Sequence, residues 1–454
     1  MKNIKMGWWL VLLVPAGLWF MADTLWVQPF RYFPFREVFI QFTGVVAMAV
    51  MSVGMVLATR PRWLEARLNG LDKMYRLHKW LGITALVVSV VHWWMSKGTK
   101  WMVGWGWLER PARRGPRGGG EGAAQAVVTL EQWLNTQRHL AESMGEWAFY
   151  GAVVLMVLAL VKWFPYRLFA KTHRLLAVAY LVLAFHTVVL LKYAYWSQPV
   201  GWLMAVLTAA GVVAALMVLL GRVGAGRKVS GEILEVHRLP ALRVVRTTLR
   251  LASGWPGHEA GQFAFVTTHR AEGAHPYTIA SHWDPATREI TFITKALGDY
   301  TATLPQALQP GMPATVEGPY GCFTFNDDAP RQIWVGGGIG ITPFVARLKE
   351  MAQERAQGAH APEVDLFHTT TELDPEALAL LEADAAAAGV HLHVLVDARD
   401  GRLTGERLRA AVPEWRTASV WFCGPAGFGT ALRTDLLAQG LPAGRFHQEL
   451  FAMR

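Results

Sequence analysis

Four histidines lie within otherwise apolar segments and form two pairs, His78 with His92 and His173 with His186. An ionisable side chain at membrane depth is costly, so it is usually kept to bind a ligand or to relay protons. The first pair is fourteen residues apart and the second thirteen. At ~1.5 Å per residue, each pair spans roughly 20 Å of helix, most of the ~30 Å hydrocarbon core. The pattern therefore predicts two stacked haems, one near each face of a membrane.

The helical phase of the two pairs differs. At ~3.6 residues per turn, His78 and His92 lie about 40° apart on one helical face, whereas His173 and His186 lie about 140° apart. The second helix must therefore twist locally, or its haems must be offset. A single buried histidine is most often an ordinary core residue, but four in matching positions favour ligation. A haem-free proton relay in a transporter with a nucleotide-sensing domain is the alternative.

Six long apolar runs occupy residues 7–26, 38–58, 77–95, 146–163, 174–193 and 200–220. Each is long enough, or nearly long enough, to cross a bilayer, and tryptophans flank several of them as in an interfacial belt. No comparable run follows residue 221. We therefore predict a multi-pass protein of the cell membrane, with a six-helix transmembrane haem-binding domain over residues 1–221.

The net charge of +10 indicates orientation in the membrane. Basic residues concentrate near 2–5, 60–79, 162–174 and 222–228, which are all cytoplasmic if the N-terminus is inside. The segment 96–145 is also basic and lies outside in this arrangement, but long loops follow the charge rule weakly. We therefore expect a cytoplasmic N-terminus and a cytoplasmic second half, with the lipid bilayer and no nucleic acid as a partner.

The second half changes from apolar helices to short alternating segments near Val229. Residues 222–327 contain β-branched runs between Gly and Pro turns, which predicts a small antiparallel β-barrel. Residues 328–454 alternate strands and helices, which predicts an α/β domain with a parallel sheet. The chain has two cysteines, Cys322 and Cys423, so neither a disulfide framework nor a cysteine metal site is expected.

Three motifs in this half could bind nucleotides. HPYTIAS (275–281) could hold a flavin, with Tyr277 against the ring and Thr278 near its N5 atom. VGGGIGITPF (335–344) follows a predicted strand and opens a helix, so its backbone N–H groups can approach a pyrophosphate. FCGPAG (422–427) ends a later strand, where open α/β sheets place their ligands. A flavin and a dinucleotide are therefore the expected ligands.

In this order, the motifs of the second half resemble the ferredoxin–NADP reductase superfamily, and the whole chain resembles ferric reductases and NADPH oxidases. The segments that carry the resemblance are YRLHKWLG with His92, THRLLA with His186, HPYTIAS, KALGDYT, EGPYG, GGGIGITP, CGP and a C-terminal aromatic. The resemblance implies two b-type haems, a FAD-binding barrel over 222–327 and an NAD(P)-binding domain over 328–454.

The resemblance also implies roles for individual residues. His78 and His173 would bind the inner haem, and His92 and His186 the outer one. FAD would contact His275, Pro276, Tyr277, Thr278, Ser281, Lys295, Gly298 and Thr301. NADPH or NADH would contact Gly337, Gly338, Gly340, Thr342, Pro343, Cys423, Gly424 and Pro425. Phe451 would cover the flavin, and the residues nearest the reacting atoms would be Thr278, Cys423, Glu449 and Phe451.

This set of groups implies a route for electrons. NAD(P)H gives up two electrons as hydride, whereas haem accepts one, so a flavin must stand between them. The electrons would then cross the membrane to an external acceptor, for which ferric iron is favoured. Molecular oxygen, reduced to superoxide, and a quinone are the alternatives. Oxidases tend to place a histidine where this chain has Ser96, and the basic residue nearest to their second-helix arginine is Arg36. Both departures weaken the oxidase interpretation.

The choice between NADPH and NADH is left open, with a slight preference for NADPH. The segment after DLFH runs from Thr369 to Glu372 and offers no cation for a 2′-phosphate. Arg399 and Arg402 follow the next strand and could supply one. The sequence indicates neither an oligomeric state nor a protein partner.

Overall fold

The computed structural model describes residues 2–26, 28–109, 129–161, 163–359 and 361–449. These residues form two compact units. The first takes in the chain up to Leu64 and from Lys73 to Val223, and the second takes in Glu65–Asp72 and the chain from Gly224 onward. The predicted boundary at residue 327 stays a prediction, because the chain on both sides of it belongs to the second unit.

The chain up to residue 223 is helical. In order, its helices are α1 (Lys2–Ala22), α2 (Tyr32–Ala58), α3 (Arg62–Leu68), α4 (Leu71–Trp93), α5 (Thr99–Gly104), α6 (Leu130–Thr136), α7 (Arg138–Leu160), α8 (Tyr166–Arg174), α9 (Leu176–Leu190) and α10 (Pro199–Leu219). A five-residue π-helical segment, Trp94–Gly98, joins α4 to α5. Helix α7 packs against α9, and α2 packs against α10.

Five helical segments of the described chain are long and apolar enough to cross a membrane. They are α1, α2, α7, α8 together with α9, and α10, and each corresponds to a predicted span. The remaining predicted span, 77–95, corresponds to α4, whose first half carries Lys73, Arg76 and Lys79. These charges lower its apolarity, so the predicted count of six spans stays a prediction with α4 as its sixth member.

The helical segment that carries His173 and His186 is interrupted at Leu175, between α8 and α9. The Leu175 N–H donates to the Thr172 carbonyl, and the Val178 N–H donates to the Leu175 carbonyl, both at 3.0 Å. Bonds of this i−3 type wind the chain at about 3.0 residues per turn, which adds about 20° per residue. The interruption therefore rotates the two histidines toward a common face, as their thirteen-residue spacing requires.

A buried polar contact sets the packing of α9. Tyr180 is 3% exposed, and its hydroxyl lies 2.8 Å from Ser52 Oγ on α2 and 3.3 Å from the Thr208 carbonyl oxygen on α10. Gly211 makes room for the ring, because a Cβ there would lie 2.0 Å from the Tyr180 hydroxyl. In an apolar environment such satisfied polar contacts are specific, so they fix the position of α9 relative to α2 and α10.

The second unit contains an antiparallel sheet. Its strands are β1 (Lys228–Leu239), β2 (Val244–Leu251), β3 (Phe263–Thr267), β4 (His275–Thr278), β5 (Glu289–Lys295) and β6 (Pro313–Tyr320), with α11 (Asp299–Ala307) before β6. The spatial order is β4-β3-β6-β1-β2-β5. The two edge strands approach each other through a bridge between Ile279 and Phe292. The antiparallel sheet is confirmed, and its closure into a barrel stays a prediction.

A parallel sheet follows, as predicted. Its elements are β7 (Arg331–Gly337), α12 (Thr342–Ala356), β8 (Glu363–Thr370), α13 (Pro375–Ala388), β9 (His391–Val396), α14 (Asp397–Asp400), α15 (Gly405–Ala411), β10 (Ser419–Cys423), α16 (Ala426–Ala438) and β11 (Phe446–Gln448). The spatial order is β11-β10-β7-β8-β9. The order reverses between β7 and β10, and open sheets of this kind bind ligands at the carboxyl ends of the strands on either side of such a reversal.

Residues 65–72, which lead into α4, belong to the second unit. Glu65 is 7% exposed, and its carboxylate accepts from the Gly321 N–H at 2.9 Å and from the Arg227 guanidinium at 3.1 Å. The same guanidinium lies 4.4 Å from the centre of the Tyr320 ring. An unpaired buried charge is strongly destabilising, so these contacts fix the segment in the second unit.

Candidate functional site

The structure brings the four predicted haem ligands together in the two expected pairs. The ring centroids of His78 and His173 are 5.9 Å apart, and those of His92 and His186 are 6.4 Å apart. An imidazole nitrogen binds a metal ion at ~2 Å, so two rings on opposite sides of one ion have centroids about 6 Å apart. Each pair therefore has the separation that one shared metal ion requires.

Each pair supplies two nitrogen ligands. Among the described residues, no group of three or more His, Cys, Asp or Glu side chains is placed to hold a metal ion. An ion held by only two imidazoles needs the equatorial ligands of a macrocycle, and bis-histidine haem has this arrangement. The two histidine pairs thus fit haem and do not fit a free ion.

Hydrogen bonds orient most of these rings. In three of them Nδ1 bonds to an oxygen on another helix: His78 to the Gly54 carbonyl at 2.9 Å, His92 to Thr43 Oγ1 at 3.0 Å and His186 to the Ala141 carbonyl at 2.8 Å. A bond at Nδ1 leaves the Nε2 lone pair for a metal, as in most metal-binding histidines. The ring of His173 instead stacks on Phe169 at 5.0 Å. The sequence did not indicate these orienting contacts.

Two glycines make room for the outer pair. A Cβ on Gly145 of α7 would lie 2.1 Å from His186 Nδ1, and a Cβ on Gly44 of α2 would lie 3.4 Å from His92 Cε1. Position 145 therefore admits only glycine while His186 keeps its place. Small residues commonly mark close helix approaches in membranes, so a glycine opposite a predicted ligand was the signal that could have identified this contact.

The backbone that follows His92 is π-helical and is held by Arg36. The guanidinium donates to the Met95 carbonyl at 2.8 Å and to the Ser96 carbonyl at 2.7 Å. A π-helical turn leaves carbonyl groups that need partners, and such turns are frequent at functional sites. Arg36, the basic residue noted in the sequence, thus supports the end of α4 beside the outer pair.

The predicted flavin segment forms β4, an edge strand. The His275 ring stacks on Tyr300 at 4.3 Å and lies nearly parallel to Tyr277 at 6.4 Å. Burial raises the pKa of Tyr277 above its usual value, and its hydroxyl has no hydrogen-bond partner among the described residues. An orphaned buried hydroxyl is costly unless a ligand supplies the partner, so Tyr277 fits a flavin contact. Strand alternation places Pro276 and Thr278 on the other face of β4.

The predicted pyrophosphate contacts lie at the start of α11. Gly298 precedes the helix, and Thr301 Oγ1 accepts from the N–H groups of Leu297 and Gly298, each at 3.0 Å. No atom lies within 4 Å of a Cβ built on Gly298. Open space beside the first turn allows an anion to reach the backbone N–H groups there.

Two other predicted flavin contacts are engaged within the protein. Ser281 Oγ accepts from the Thr291 N–H at 3.1 Å, and Lys295 Nζ pairs with Glu372 at 2.9 Å. Ser281 thereby fixes the turn after β4 against β5. Lys295 reaches the end of β8, so its charge is already balanced before any cofactor binds.

The Ser281 carbonyl also holds a buried histidine. His258 Nε2 donates to this carbonyl at 3.0 Å, and His258 Nδ1 accepts from Trp255 Nε1 at 3.3 Å. Burial lowers the pKa of His258 to about 4 from an ordinary value of 6.5. The bond from Trp255 requires the neutral ring, because a protonated Nδ1 cannot accept, so His258 makes both contacts only while it is unprotonated.

We expect the second unit to lose stability in weak acid because of His258. Its lowered pKa means that the stabilisation is complete above about pH 6.5 and is lost as the pH falls toward 4, because the unfolded chain takes up the proton first. From pH 7 to 5 the loss should be about 2 kcal/mol. Urea unfolding of the full chain in detergent measures it, and His258→Gln should remove this part of the slope. An unchanged slope in the variant would contradict the assignment.

Two turns touch at the reversal of the parallel sheet. A Cβ on Gly340, after β7, would lie 2.2 Å from the Cys423 carbonyl oxygen at the end of β10. A Cβ on Gly337 would lie 2.9 Å from Pro425 Cδ. Gly338 has a φ of 55° and open space beside its Cα. The turns therefore present bare backbone, which allows a dinucleotide to approach closely.

The remaining predicted nucleotide contacts lie beside these turns. Gly424 is packed so that its Cβ would lie 3.1 Å from the Gly337 Cα. Thr342 and Pro343 form the first turn of α12, where Thr342 Oγ1 donates to the Ile339 carbonyl at 2.7 Å. The first turn of α12 therefore starts at the carboxyl edge of β7, where a helix N-terminus favours a phosphate.

The predicted residues around the reacting atoms are only partly described. Cys423 is fully buried, and burial raises the pKa of its thiol well above the usual value. It is therefore a neutral thiol at physiological pH, suited to packing against a ligand and unsuited to nucleophilic attack. Glu449 is 4% exposed. Phe451 lies outside the described residues.

A family model matches part of the first half of the chain. Residues 43–184 match the family model described as ferric reductase like transmembrane component. The matched range contains three of the four predicted haem ligands, His78, His92 and His173, and ends two residues before His186.

Other similarities are to reductases. The chain is 32% identical over 229 residues to the ferredoxin–NAD(+) reductase component of the alkene monooxygenase system of Xanthobacter autotrophicus, covering 46% of this chain and 65% of that protein. It is 28% identical over 238 residues to NADPH oxidoreductase of Mycobacterium tuberculosis, covering 50% and 61%. It is 27% identical over 221 residues to respiratory burst oxidase homolog protein E of Arabidopsis thaliana, covering 41% and 22%. The chain spans less than two thirds of the length of each of these relatives.

Proposed function

We propose that the chain is a transmembrane NAD(P)H oxidoreductase, because residues 43–184 match the ferric reductase like transmembrane component and the chain is similar to NAD(P)H-linked reductases. In this proposal, electrons pass from NAD(P)H through FAD and two b-type haems to an acceptor across the membrane, most favourably ferric iron. The observation that carries the proposal is the pairing of His78 with His173 and of His92 with His186, at centroid distances of 5.9 and 6.4 Å.

In this proposal, the residues of the chain would position the cofactors. When bound, FAD would accept a hydride from the nicotinamide, and the haems would pass single electrons onward. Tyr277 and Gly298 would hold the flavin, and Gly337 and Gly340 would admit the dinucleotide backbone. His78 with His173 and His92 with His186 would each hold one haem, which would supply single-electron transfer. The buried contact of Tyr180 with Ser52 and Thr208 would keep the ligand-bearing helix in register.

The proposed orientation follows from charge. The concentration of basic residues near 60–79 and 222–228 supports a cytoplasmic location for these segments, the N-terminus and the reductase module. His92 and His186 would then lie toward the outer face. The backbone carbonyl of Ser96 accepts from Arg36, so this arginine is engaged in holding the chain, which supports an acceptor other than oxygen.

An anaerobic visible spectrum of the purified protein in detergent, before and after NADPH or NADH, tests the proposal. We expect about two b-type haems per flavin, all reduced by the nucleotide. Addition of air or of a ferric chelate then identifies the acceptor, because the faster re-oxidant is the physiological class. Ferric reduction that is insensitive to superoxide dismutase would separate direct iron reduction from superoxide formation. Absence of haem would instead support the proton-relay transporter.

A further inference from the structure

The end of β8 lies beside the glycine turn that follows β7. Gly336 pairs with His368, and Gly337 pairs with Thr369, in the parallel register of the two strands. In sheets of this type, the residue just after the second strand meets the ribose next to the adenine. A carboxylate there accepts from the ribose 2′-hydroxyl, whereas a cation accommodates a 2′-phosphate. The charge of the side chain that follows β8 therefore determines whether NADH or NADPH fits.

The turn after β8 brings a carboxylate to this position. Thr370 Oγ1 donates to the Glu372 carbonyl at 2.7 Å and accepts from the Glu372 N–H at 3.3 Å, which fixes the turn. Glu372 then lines a cavity of ≈190 Å³ together with Gly338, Ile339 and Lys295. The Glu372 carboxylate and the glycine turn thus line the same cavity.

The cations beside Glu372 carry no surplus charge. Lys295 Nζ lies 2.9 Å and Arg243 Nη2 lies 4.0 Å from the Glu372 carboxylate. The hydrogen bond from Lys295 lowers the pKa of Glu372 below its usual value, so the carboxylate is ionised throughout the physiological range. Asp374, a second carboxylate on the cavity wall, caps α13 by accepting from the Ala377 N–H at 3.0 Å. Three cations (Arg246, Lys295 and Lys349) and three carboxylates (Glu372, Asp374 and Asp384) line the cavity, so its wall carries no net positive charge.

The arginines after β9 are also engaged. Arg399 donates through Nε and Nη2 to the Asp400 carboxylate at 3.0 and 2.9 Å. Arg402 Nε lies 3.9 Å from the Asp397 carboxylate. Each of the two cations that the sequence offered for a 2′-phosphate therefore has a carboxylate partner within α14.

We propose that Glu372 makes the coenzyme site selective for NADH over NADPH. The 2′-hydroxyl of NADH can donate to the carboxylate, whereas the 2′-phosphate of NADPH, with a charge of about −2 at neutral pH, meets the like charge of Glu372 in a cavity whose wall has no net positive charge. This inference rests on the proposed function, because it takes the parallel sheet to bind a nicotinamide coenzyme. It reverses the slight preference for NADPH drawn from the sequence.

Steady-state flavin reduction by NADH and by NADPH tests the proposal on the full chain in detergent. We expect the KM for NADPH to exceed that for NADH by at least about tenfold, with similar kcat values. Glu372→Gln removes the repelling charge and releases Lys295, so the KM ratio should fall to within about threefold of unity. Calorimetric titration gives a readout independent of turnover, in which 2′-phospho-AMP should gain affinity relative to AMP in this variant.

Glu376→Gln is the matched control. Glu376 lies on α13 four residues further along, is largely exposed and pairs with His237 at 2.9 Å, so its substitution should leave the ratio unchanged. Equal KM values in the wild type, a preference for NADPH, or an unchanged ratio in Glu372→Gln would overturn the selectivity. If neither nucleotide reduces the flavin, the proposed function is overturned together with the selectivity.

Discussion

Replacement of His92 by leucine is expected to remove one haem per chain and to slow electron delivery to an external acceptor by more than ~100-fold. His92 lies 6.4 Å from His186 between ring centroids and is oriented by Thr43, so leucine deletes one axial ligand of the outer pair. Reduction of the flavin by the nicotinamide coenzyme should keep its wild-type rate, because that step involves residues of the second unit alone.

The haem-to-protein ratio and stopped-flow flavin and haem spectra measure these effects. His139→Leu on α7 is the control, since His139 is exposed and belongs to neither pair. Undiminished reduction of the external acceptor in His92→Leu would contradict the two-haem relay. Loss of both haems together would show that the outer site is needed for the whole bundle to assemble.

Gly145→Ala should disturb the same site without changing any ligand. The added methyl group would lie 2.1 Å from His186 Nδ1, so α7 must move away from α9 or the imidazole must turn. We expect a destabilisation of about 1–3 kcal/mol, as for overpacked cores. Because the bond from His186 to the Ala141 carbonyl would be broken as well, occupancy of the outer haem should fall roughly tenfold or more.

Gly151→Ala on the same helix is the matched comparison, because no atom lies within 4 Å of a Cβ at that position. It should keep full haem content, and both variants can be compared by pyridine haemochrome assay and thermal melting. Equal haem content in the two variants would show that the contact between Gly145 and His186 is not needed to position the ring.

The elements that could be predicted from the sequence are those with a local signal. The four histidines stood out because charge-capable side chains are rare within apolar runs. The turn from Gly337 to Gly340 stood out because clustered glycines between a strand and a helix are typical of a turn that binds phosphate groups. Alternation of strands with helices after residue 328 was sufficient to predict the parallel sheet, and the structure has it.

The features that could not be predicted depend on contacts between distant residues. The thirteen-residue spacing of His173 and His186 predicted either a local twist or offset haems, and no glycine or proline between them indicated the interruption at Leu175. The role of Gly145 is apparent only from the packing of α7 against α9. Lys295 was assigned to the flavin from its motif, whereas its partner Glu372 lies in the turn after β8, a strand of the other sheet.

The membership of residues 65–72 in the second unit has a consequence for biosynthesis. Gly321, which donates to Glu65, is 256 positions further along the chain. At ~5–20 residues per second, the ribosome takes roughly 10–50 s to supply it. Arg227, the other partner, is 162 positions along, and until it is made the carboxylate has neither partner, although the helices before it can already enter the bilayer. A reductase fragment that begins at Gly224 would lack this carboxylate and leave a guanidinium that is only 10% exposed without its ion-pair partner. The shortest complete form of the reductase unit therefore includes residues 65–72, which lie within the membrane half of the sequence.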